Sequence, residues 1–369
     1  MRIALLPLIP AFALVASSPP VRAPRDSAVD QAPASRMAPD VERPLLWLIG
    51  AQNVDGSWGE TAHSTNPDVA TTAIAGIALI RMGHTGSRGE YQDSTRRAVQ
   101  FVAGAVERTP ATEIAVNAPG TLPQRKLGRN IDTFLAAQFL AEALPTLPRG
   151  TLQSRAREAL AACARRIERV QMADGSYAKD GWAPLLASAF ASNGLSAAQR
   201  AGVKVSESTL EKGLQNLVGK YDGKTGQFST SDAAGVQLYS VAASGMAAAQ
   251  LERSAPANPA TREEKDRRDR AVETRKAAEA QLSNDRVLRG FGSYGGEEHV
   301  SYMLTAEAKA ALGGDEWAEF NKGMRARLAA IQREDGTWRG DHCITSTTFC
   351  TAASLITLAI GPRNGGRPS

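Results

Sequence analysis

Aromatic side chains are scarce in this sequence, and long apolar segments are absent beyond about the first 20 residues. Phe, Trp and Tyr together make up 5% of the 369 residues. A composition poor in aromatics and rich in alanine favours close-packed helices over a β-sandwich. No later segment reaches the run of about 18 apolar residues that a transmembrane helix requires. We therefore expect a helical and soluble mature chain.

Cysteine is also rare, with only Cys163, Cys343 and Cys350 present. Cys343 and Cys350 are seven positions apart on one predicted helix. Their Cα atoms would then be about 10 Å apart, too far for a disulfide. Cys163 lies on the apolar stripe of another predicted helix. The sequence therefore predicts a fold that disulfides do not hold together.

Charge of one sign does not dominate. The 43 Lys and Arg residues face 38 Asp and Glu residues, which gives a formal net charge of +5. That balance is too weak and too mixed to indicate a nucleic-acid partner. The densest charged run, 262–270, alternates in sign and is typical of a solvated helix face.

The N-terminus has the pattern of an export signal. Met1 and Arg2 form a short basic region, and the apolar segment 3–16 ends in small residues. This segment is too short to span a bilayer but suits a signal peptide. We predict a signal peptide over 1–18, a disordered Pro/Ala/Ser-rich leader over 19–40, and export to the periplasm or beyond. The domain then covers 41–362, with a disordered tail over 363–369.

A repeat organises the rest of the chain. The pattern Q-x-x-D-G-[ST]-[WY] occurs at Gln52–Trp58, Gln171–Tyr177 and Gln332–Trp338. A weaker echo lies at Tyr221–Phe228. The glutamines are separated by 119 and 161 residues. Two and three units of about 55 residues account for these spacings, so we expect six units in all.

Each unit reads as a helix, a glycine turn and a second helix. The first helix is amphipathic, as in Ser154–Gln171, where Arg157, Arg165, Arg166 and Arg169 occupy the polar side. The second is apolar on every side and must be buried on every side. Two concentric layers satisfy both patterns, so we predict an all-α fold, an (α/α)6 toroid. The predicted inner helices are Ala70–Ile80, Ile131–Leu144, Trp182–Ala191, Val236–Ala249, Val300–Leu312 and Ile344–Ile360.

The motif residues have a structural interpretation. Asp-Gly gives a tight turn with positive φ at glycine. The glutamine can bond exposed backbone at helix ends, and the aromatic residue can cover it and pin neighbouring units.

These repeats resemble the QW motifs of squalene–hopene and oxidosqualene cyclases, and the related repeats of protein prenyltransferase β-subunits. The resemblance covers about residues 42–360. It implies a terpenoid cyclase or prenyltransferase toroid with an apolar, isoprenoid-like ligand in a central cavity. The cyclases' D-x-D-D acid motif, a DDxxD metal cluster and a thioester motif are all absent from this sequence. Aromatic residues on the inner helices are few, so a full polycyclising enzyme is not expected.

One group of residues could carry chemistry. Asp341, His342 and Cys343 are expected to open the last inner helix, and His299 opens the one before it. His63 occupies the equivalent place in the first unit, which neighbours the sixth in a closed ring. Helix dipoles converge at this end and would favour a thiolate at Cys343.

Zinc is the expected cofactor for this group. Asp341, Cys343 and His299 supply oxygen, sulfur and nitrogen ligands. The resemblance implies the same set, because prenyltransferases bind catalytic zinc with Asp-x-Cys and a His. Here the His precedes the Asp-x-Cys, and the α-subunit has no counterpart.

Two other interpretations stay open. Asp341 could simply cap the last helix, with Cys343 as a small buried residue. The chain would then be a non-catalytic periplasmic module that holds a lipid or a protein partner. A carbohydrate-active toroid would need paired carboxylates, and the adjacent Glu297 and Glu298 point in different directions.

Overall fold

The computed structural model describes residues 39–256, 258–284, 298–313, 316–341 and 344–361. Helices dominate this part of the chain, and its only sheet is a hairpin of Tyr221–Asp222 with Gln227–Phe228. The all-α prediction is confirmed. The predicted signal peptide, the leader as far as residue 38 and the tail lie outside the described residues. No helix in the described ranges is long and apolar enough to cross a bilayer.

Two kinds of helix alternate along the chain. Surface helices keep a polar, exposed side: α1 (Glu42–Gly50), α3 (Gln92–Arg108), α6 (Thr151–Val170), α8 (Glu207–Val218), α10 (Arg262–Leu282) and α12 (Trp317–Ala330). Buried helices are covered along most of their length: α2 (Val69–Arg81), α5 (Ile131–Ala143), α7 (Pro184–Arg200), α9 (Gln237–Ser254), α11 (Glu298–Leu312) and α13 (Thr347–Ala359). A short helix α4 (Leu122–Leu127) precedes α5.

The buried helices pack against one another in an order that returns to its start. Helix α2 contacts α5, α5 contacts α7, α7 contacts α9, α9 contacts α11, α11 contacts α13, and α13 contacts α2. Surface helices lie against consecutive members of this series, as α6 does against α5 and α7. Small residues let the buried helices approach closely: Phe139 of α5 covers Gly76 of α2.

The glutamine motifs link surface helices. Gln52, after α1, donates from Nε2 to the Gly56 carbonyl (3.0 Å) and to the Ser94 carbonyl in the first turn of α3 (2.9 Å). Gln171, after α6, likewise reaches Gly175 (3.3 Å) and Thr209 at the start of α8 (2.8 Å). Each glutamine side chain thus bonds a carbonyl of its own turn and a carbonyl in the first turn of another surface helix.

The third motif joins the two ends of the described chain. Gln332, after α12, donates to the Gly336 carbonyl (2.8 Å) and the Asp40 carbonyl (2.7 Å), and it accepts from the Asp40 N–H (2.9 Å). Asp40 precedes α1, so this motif bonds the last surface helix to the first. The predicted role of the glutamines is confirmed.

The glycine and aromatic positions also match their predicted roles in part. The turn glycines Gly56, Gly175 and Gly336 have φ of 89°, 87° and 83°. Trp58 and Trp338 are fully buried, and each donates its indole N–H to the preceding helix of its own unit. These two tryptophans therefore pin a unit to itself. Tyr177 has the predicted role, because its hydroxyl accepts from Gln171 Nε2 (2.9 Å) and donates to the Thr209 carbonyl of α8 (3.4 Å).

Several expectations about local structure were wrong. Arg166 is 5% exposed instead of facing solvent, and it donates to the carbonyls of Glu113 and Thr109. The echo at Tyr221–Phe228 forms the hairpin. The third buried helix extends to Arg200, because its serines and glycine are buried as readily as its alanines. Helix α13 begins at Thr347, three residues later than predicted, and Cys343 lies outside the described residues.

An ion cluster joins three buried helices near their C-terminal ends. Arg81 of α2 donates to Glu142 of α5 (3.0 and 2.7 Å) and to Glu307 of α11 (2.7 Å). Helix α13 lies between α2 and α11 in the packing order. The Arg81 guanidinium therefore bridges two helices that flank α13. The three side chains are 21%, 24% and 14% exposed. Burial lowers the pKa of Arg81, but the two carboxylates outweigh burial and raise it.

We expect the Arg81→Met variant to lose about 2–4 kcal/mol of unfolding free energy, because Glu142 and Glu307 would remain together without a cation. Urea denaturation measures the loss. Arg155→Met is the matched control, since it breaks an exposed pair with Glu107 and should cost less than about 1 kcal/mol. Equal losses in both variants would contradict the role of the cluster.

Candidate functional site

His299 is the best-placed of the predicted site residues. It lies in the first turn of α11 and is 3% exposed. Its Nδ1 is 2.9 Å from the Ser354 hydroxyl of α13, and its Nε2 has no hydrogen-bond partner of ordinary geometry among the described residues. Burial lowers the pKa of His299 to about 4, and the Arg339 backbone opposes this only in part. The imidazole is therefore neutral at physiological pH.

Asp341 lies in different surroundings. It is exposed, and it precedes the start of α13 by six positions. The predicted capping role is wrong, because Ser346 caps α13 by accepting from the Phe349 N–H (3.0 Å). His342 and Cys343 lie outside the described residues.

His63 is exposed, with a positive φ of 53°. Its loop does touch the last helix, since the Glu60 carbonyl accepts from the Ser346 hydroxyl (2.9 Å) and the Thr348 N–H (3.3 Å). The expected proximity of the first and last units is confirmed at this point. The exposed His63 and the buried His299 nevertheless lie in unlike environments.

These placements bear on the zinc prediction. Nothing in the described ranges brings three His, Cys, Asp or Glu side chains together as a metal site. His299 alone has the features of a ligand, with one ring nitrogen held by a hydroxyl and the other unpaired. The described residues therefore do not fit a zinc centre by themselves, and the zinc set stays a prediction that depends on Cys343.

Two buried carboxyl groups stand where α2 and α5 begin. Asp68 caps α2 by accepting from the Thr71 N–H (2.7 Å), and it is 2% exposed. Burial raises the pKa of Asp68 to about 6, although its hydrogen bonds to Thr71 oppose the shift.

Asp132, the second residue of α5, is fully buried. Neither carboxyl oxygen makes a hydrogen bond of ordinary geometry with a described residue. Burial raises the pKa of Asp132 to about 7; the backbone N–H groups of Thr133 and Asn117 oppose the shift, and the nearby Asp68 charge adds to it by a smaller amount. Asp132 is thus partly protonated near neutral pH.

Asn117 connects the two acids. Its side-chain oxygen accepts from the N–H of Val69, the neighbour of Asp68 (3.1 Å), and its own N–H faces Asp132. A cavity of about 380 Å³ lies beside this link, with Val69 and Asn117 in its wall. The acids therefore lie close behind one wall of an open cavity.

The sequence carried a signal for Asp132. It is an acidic residue in the first turn of a helix that is otherwise apolar on every side, so it had to be buried with that helix. Chemically, a protonated carboxyl in an apolar site can act as an acid. Its conjugate base is favoured by the nearby N–H groups and by the α5 dipole.

We expect the free energy of unfolding to depend on the protonation state of Asp132. Its pKa is higher in the folded state than in the unfolded state. Its contribution to the free energy of unfolding is therefore complete below about pH 4 and is lost as pH rises through about 7. Asp132→Asn should abolish a loss of about 2–3 kcal/mol between pH 5 and pH 8. Urea denaturation at both pH values tests this, with the exposed Asp93→Asn as control. A pH slope unchanged in Asp132→Asn would contradict the shift.

Comparisons with known proteins found some structural likeness. No family model matches the chain, and no curated protein matches it. The chain is similar to the apo structure of the type II terpene cyclase MstE from Scytonema, with 15% identity, a TM-score of 0.47 and coverage of 86% of this chain and 96% of that one. An arginine variant of MstE in complex with geranylgeranyl dihydroxybenzoate shows the same coverage, with 14% identity and a TM-score of 0.46. A likeness of this size shows nothing about the chemistry of the present chain, which has to be argued from its own residues.

Proposed function

We propose that the chain is an (α/α)6 toroid of the terpenoid cyclase and prenyltransferase type, and that it acts as a cyclase relative on an apolar, isoprenoid-like ligand. Support for the toroid comes from the closed packing order of the buried helices and from the bond between Gln332 and Asp40. Both observations are expected of a ring and not of an open array.

The observation that carries the activity is the buried, unpaired carboxyl group of Asp132 with its raised pKa. In the proposed reaction this proton moves to an alkene carbon of the ligand. The π-electron pair forms the new C–H bond and leaves a carbocation and the Asp132 carboxylate. A second alkene closes a ring by attacking the cation, and proton loss to a carboxylate ends the sequence. Asp68 favours the protonated state of Asp132 because two nearby carboxylates resist joint ionisation.

The test uses geranylgeraniol as the probe, with product mass and retention read by gas chromatography. We expect cyclic isomers of unchanged mass from the wild type, and at least about a 100-fold lower rate from Asp132→Asn. Asp93→Asn, which changes an exposed carboxylate of α3 outside both predicted sites, is the control and should keep the wild-type rate. Turnover that survives Asp132→Asn would contradict the assignment.

The metal-dependent transferase is a second form of this proposal. It assigns zinc to Asp341, Cys343 and His299, with His342 and His63 near the reacting ligand. Its support in the described chain is the unpaired Nε2 of the neutral His299 imidazole. Bound zinc would supply a Lewis acid at that end of the helices.

Metal analysis of the purified chain tests the zinc set. We expect about one zinc per chain, lost in both His299→Ala and Cys343→Ala and retained in Cys350→Ala. The last variant also removes a thiol, but one that donates to the Ile344 carbonyl. Zinc content below about a tenth of stoichiometry in the wild type would rule out the set.

The alternative is a non-catalytic module that holds a lipid or a protein partner after export. It is favoured by the near-complete burial of the described inner positions and by the Arg81 cluster across the helix ends. Such packing leaves an apolar ligand little room, which favours a protein partner over a lipid. Lipid extraction combined with the geranylgeraniol assay on the same sample separates the two functions, because the cyclase converts a bound isoprenoid and the module does not.

A further inference from the structure

The cavity beside α3 and α4 has unusual polar walls. It encloses about 380 Å³ between the C-terminal end of α3, the loop 109–121 and α4. Gln124, Arg108, Arg129 and Asn117 contribute its polar lining.

Gln124 lines this cavity, and the orientation of its side-chain amide is fixed. The side chain is 6% exposed, and its Oε1 accepts from the N–H groups of Gly120 (2.9 Å) and Thr121 (3.2 Å) in a capping box. These two bonds determine the orientation of the amide, because Nε2 could not accept from either N–H. Nε2 is therefore a true donor, and it is buried with no partner among the described residues. Native structures rarely leave such a donor unpaired.

The charges around the cavity are not balanced. Its wall carries Arg108 and Arg129 against one acidic residue, Glu113, for a formal charge of +1. The ion pairs of the described chain include neither of these guanidinium groups. Behind the loop, Arg166 and Arg169 donate to the Glu113 carbonyl and add further positive potential. The cavity thus combines a buried amide donor with two arginines that form no close ion pair among the described residues, although Arg108 lies near Glu107.

We propose that this cavity binds a phosphate-type oxyanion, either free phosphate or the phosphate of a lipid headgroup. The Gln124 amide would donate to one oxygen, and Arg108 and Arg129 would pair with the others. The cavity shares the wall formed by Val69 and Asn117 with the acid pair, but the proposal does not depend on the chemistry of Asp132.

Calorimetric titration with inorganic phosphate, at ionic strength held constant with NaCl, tests the site. The wild type should bind one phosphate saturably. Gln124→Glu keeps the capping acceptor but removes the donor and adds a negative charge, so it should weaken binding at least about tenfold. Arg129→Gln should weaken binding several-fold.

Gln92→Glu is the matched control. It makes the same change in the first turn of α3, where the Gln92 Oε1 already accepts from Arg96. That position is about 24 Å along the helix from Arg108, so affinity should stay within about twofold of wild type. Equal weakening in Gln124→Glu and Gln92→Glu, or none in either, would overturn the assignment.

Vesicles distinguish the two sources of the phosphate. Binding to phosphatidic acid vesicles that Gln124→Glu abolishes, with none to phosphatidylcholine vesicles, indicates a lipid headgroup. Saturable binding of inorganic phosphate without vesicle binding indicates a free ligand. Absence of both kinds of binding in the wild type would overturn the proposal.

Discussion

The architecture depends on one repeated interaction, a glutamine side chain that closes its own turn and bonds the start of another surface helix. Gln52, Gln171 and Gln332 each lie where a surface helix ends, and each donates to a carbonyl at or just before the start of another surface helix. The same bond therefore orders the turn and fixes the spacing of the surface layer. Because Gln332 reaches Asp40, the interaction also joins the beginning and end of the described chain. The buried helices can then be short and made of residues with small, apolar side chains, since the surface layer holds them in place.

That arrangement constrains where charge can lie. A layer of helices buried on all sides tolerates ionisable groups only when they are paired or neutral. The Arg81 cluster is the paired case, at the C-terminal ends of the buried helices. Asp132 and His299 are the neutral case, near the N-terminal ends, where burial raises the pKa of the acid and lowers that of the imidazole. Both groups lie near the N-terminal ends of their helices, and buried groups with shifted pKa values make that end a candidate place for chemistry.

Sequence predicted the framework well and the site poorly, for physical reasons. The helix pattern and the glutamine motifs are local signals, so the buried helices and the role of Gln332 followed from periodicity and spacing. Whether a polar residue is buried depends on distant segments. Arg166 was expected in solvent, but loop carbonyls from 109–113 bury and satisfy it. Asp341 was expected to cap α13, yet Ser346 does so because the loop runs five residues further. Asp132 was overlooked because a lone acid has no motif; only packing shows that neither oxygen is paired.

The central claim is that the helices close on themselves, and one comparison of unfolding free energies tests it most directly. Gln171→Leu breaks a bond between surface helices that are consecutive in the chain, whereas Gln332→Leu breaks the bond between the last and the first. Each change removes two bonds donated to main-chain carbonyls that are wholly or partly buried, which together cost about 1–3 kcal/mol when both helices are held in place. A closed arrangement predicts losses of similar size in urea denaturation. A full loss for Gln171→Leu with less than about 0.5 kcal/mol for Gln332→Leu would show that the ends do not meet and would contradict the account.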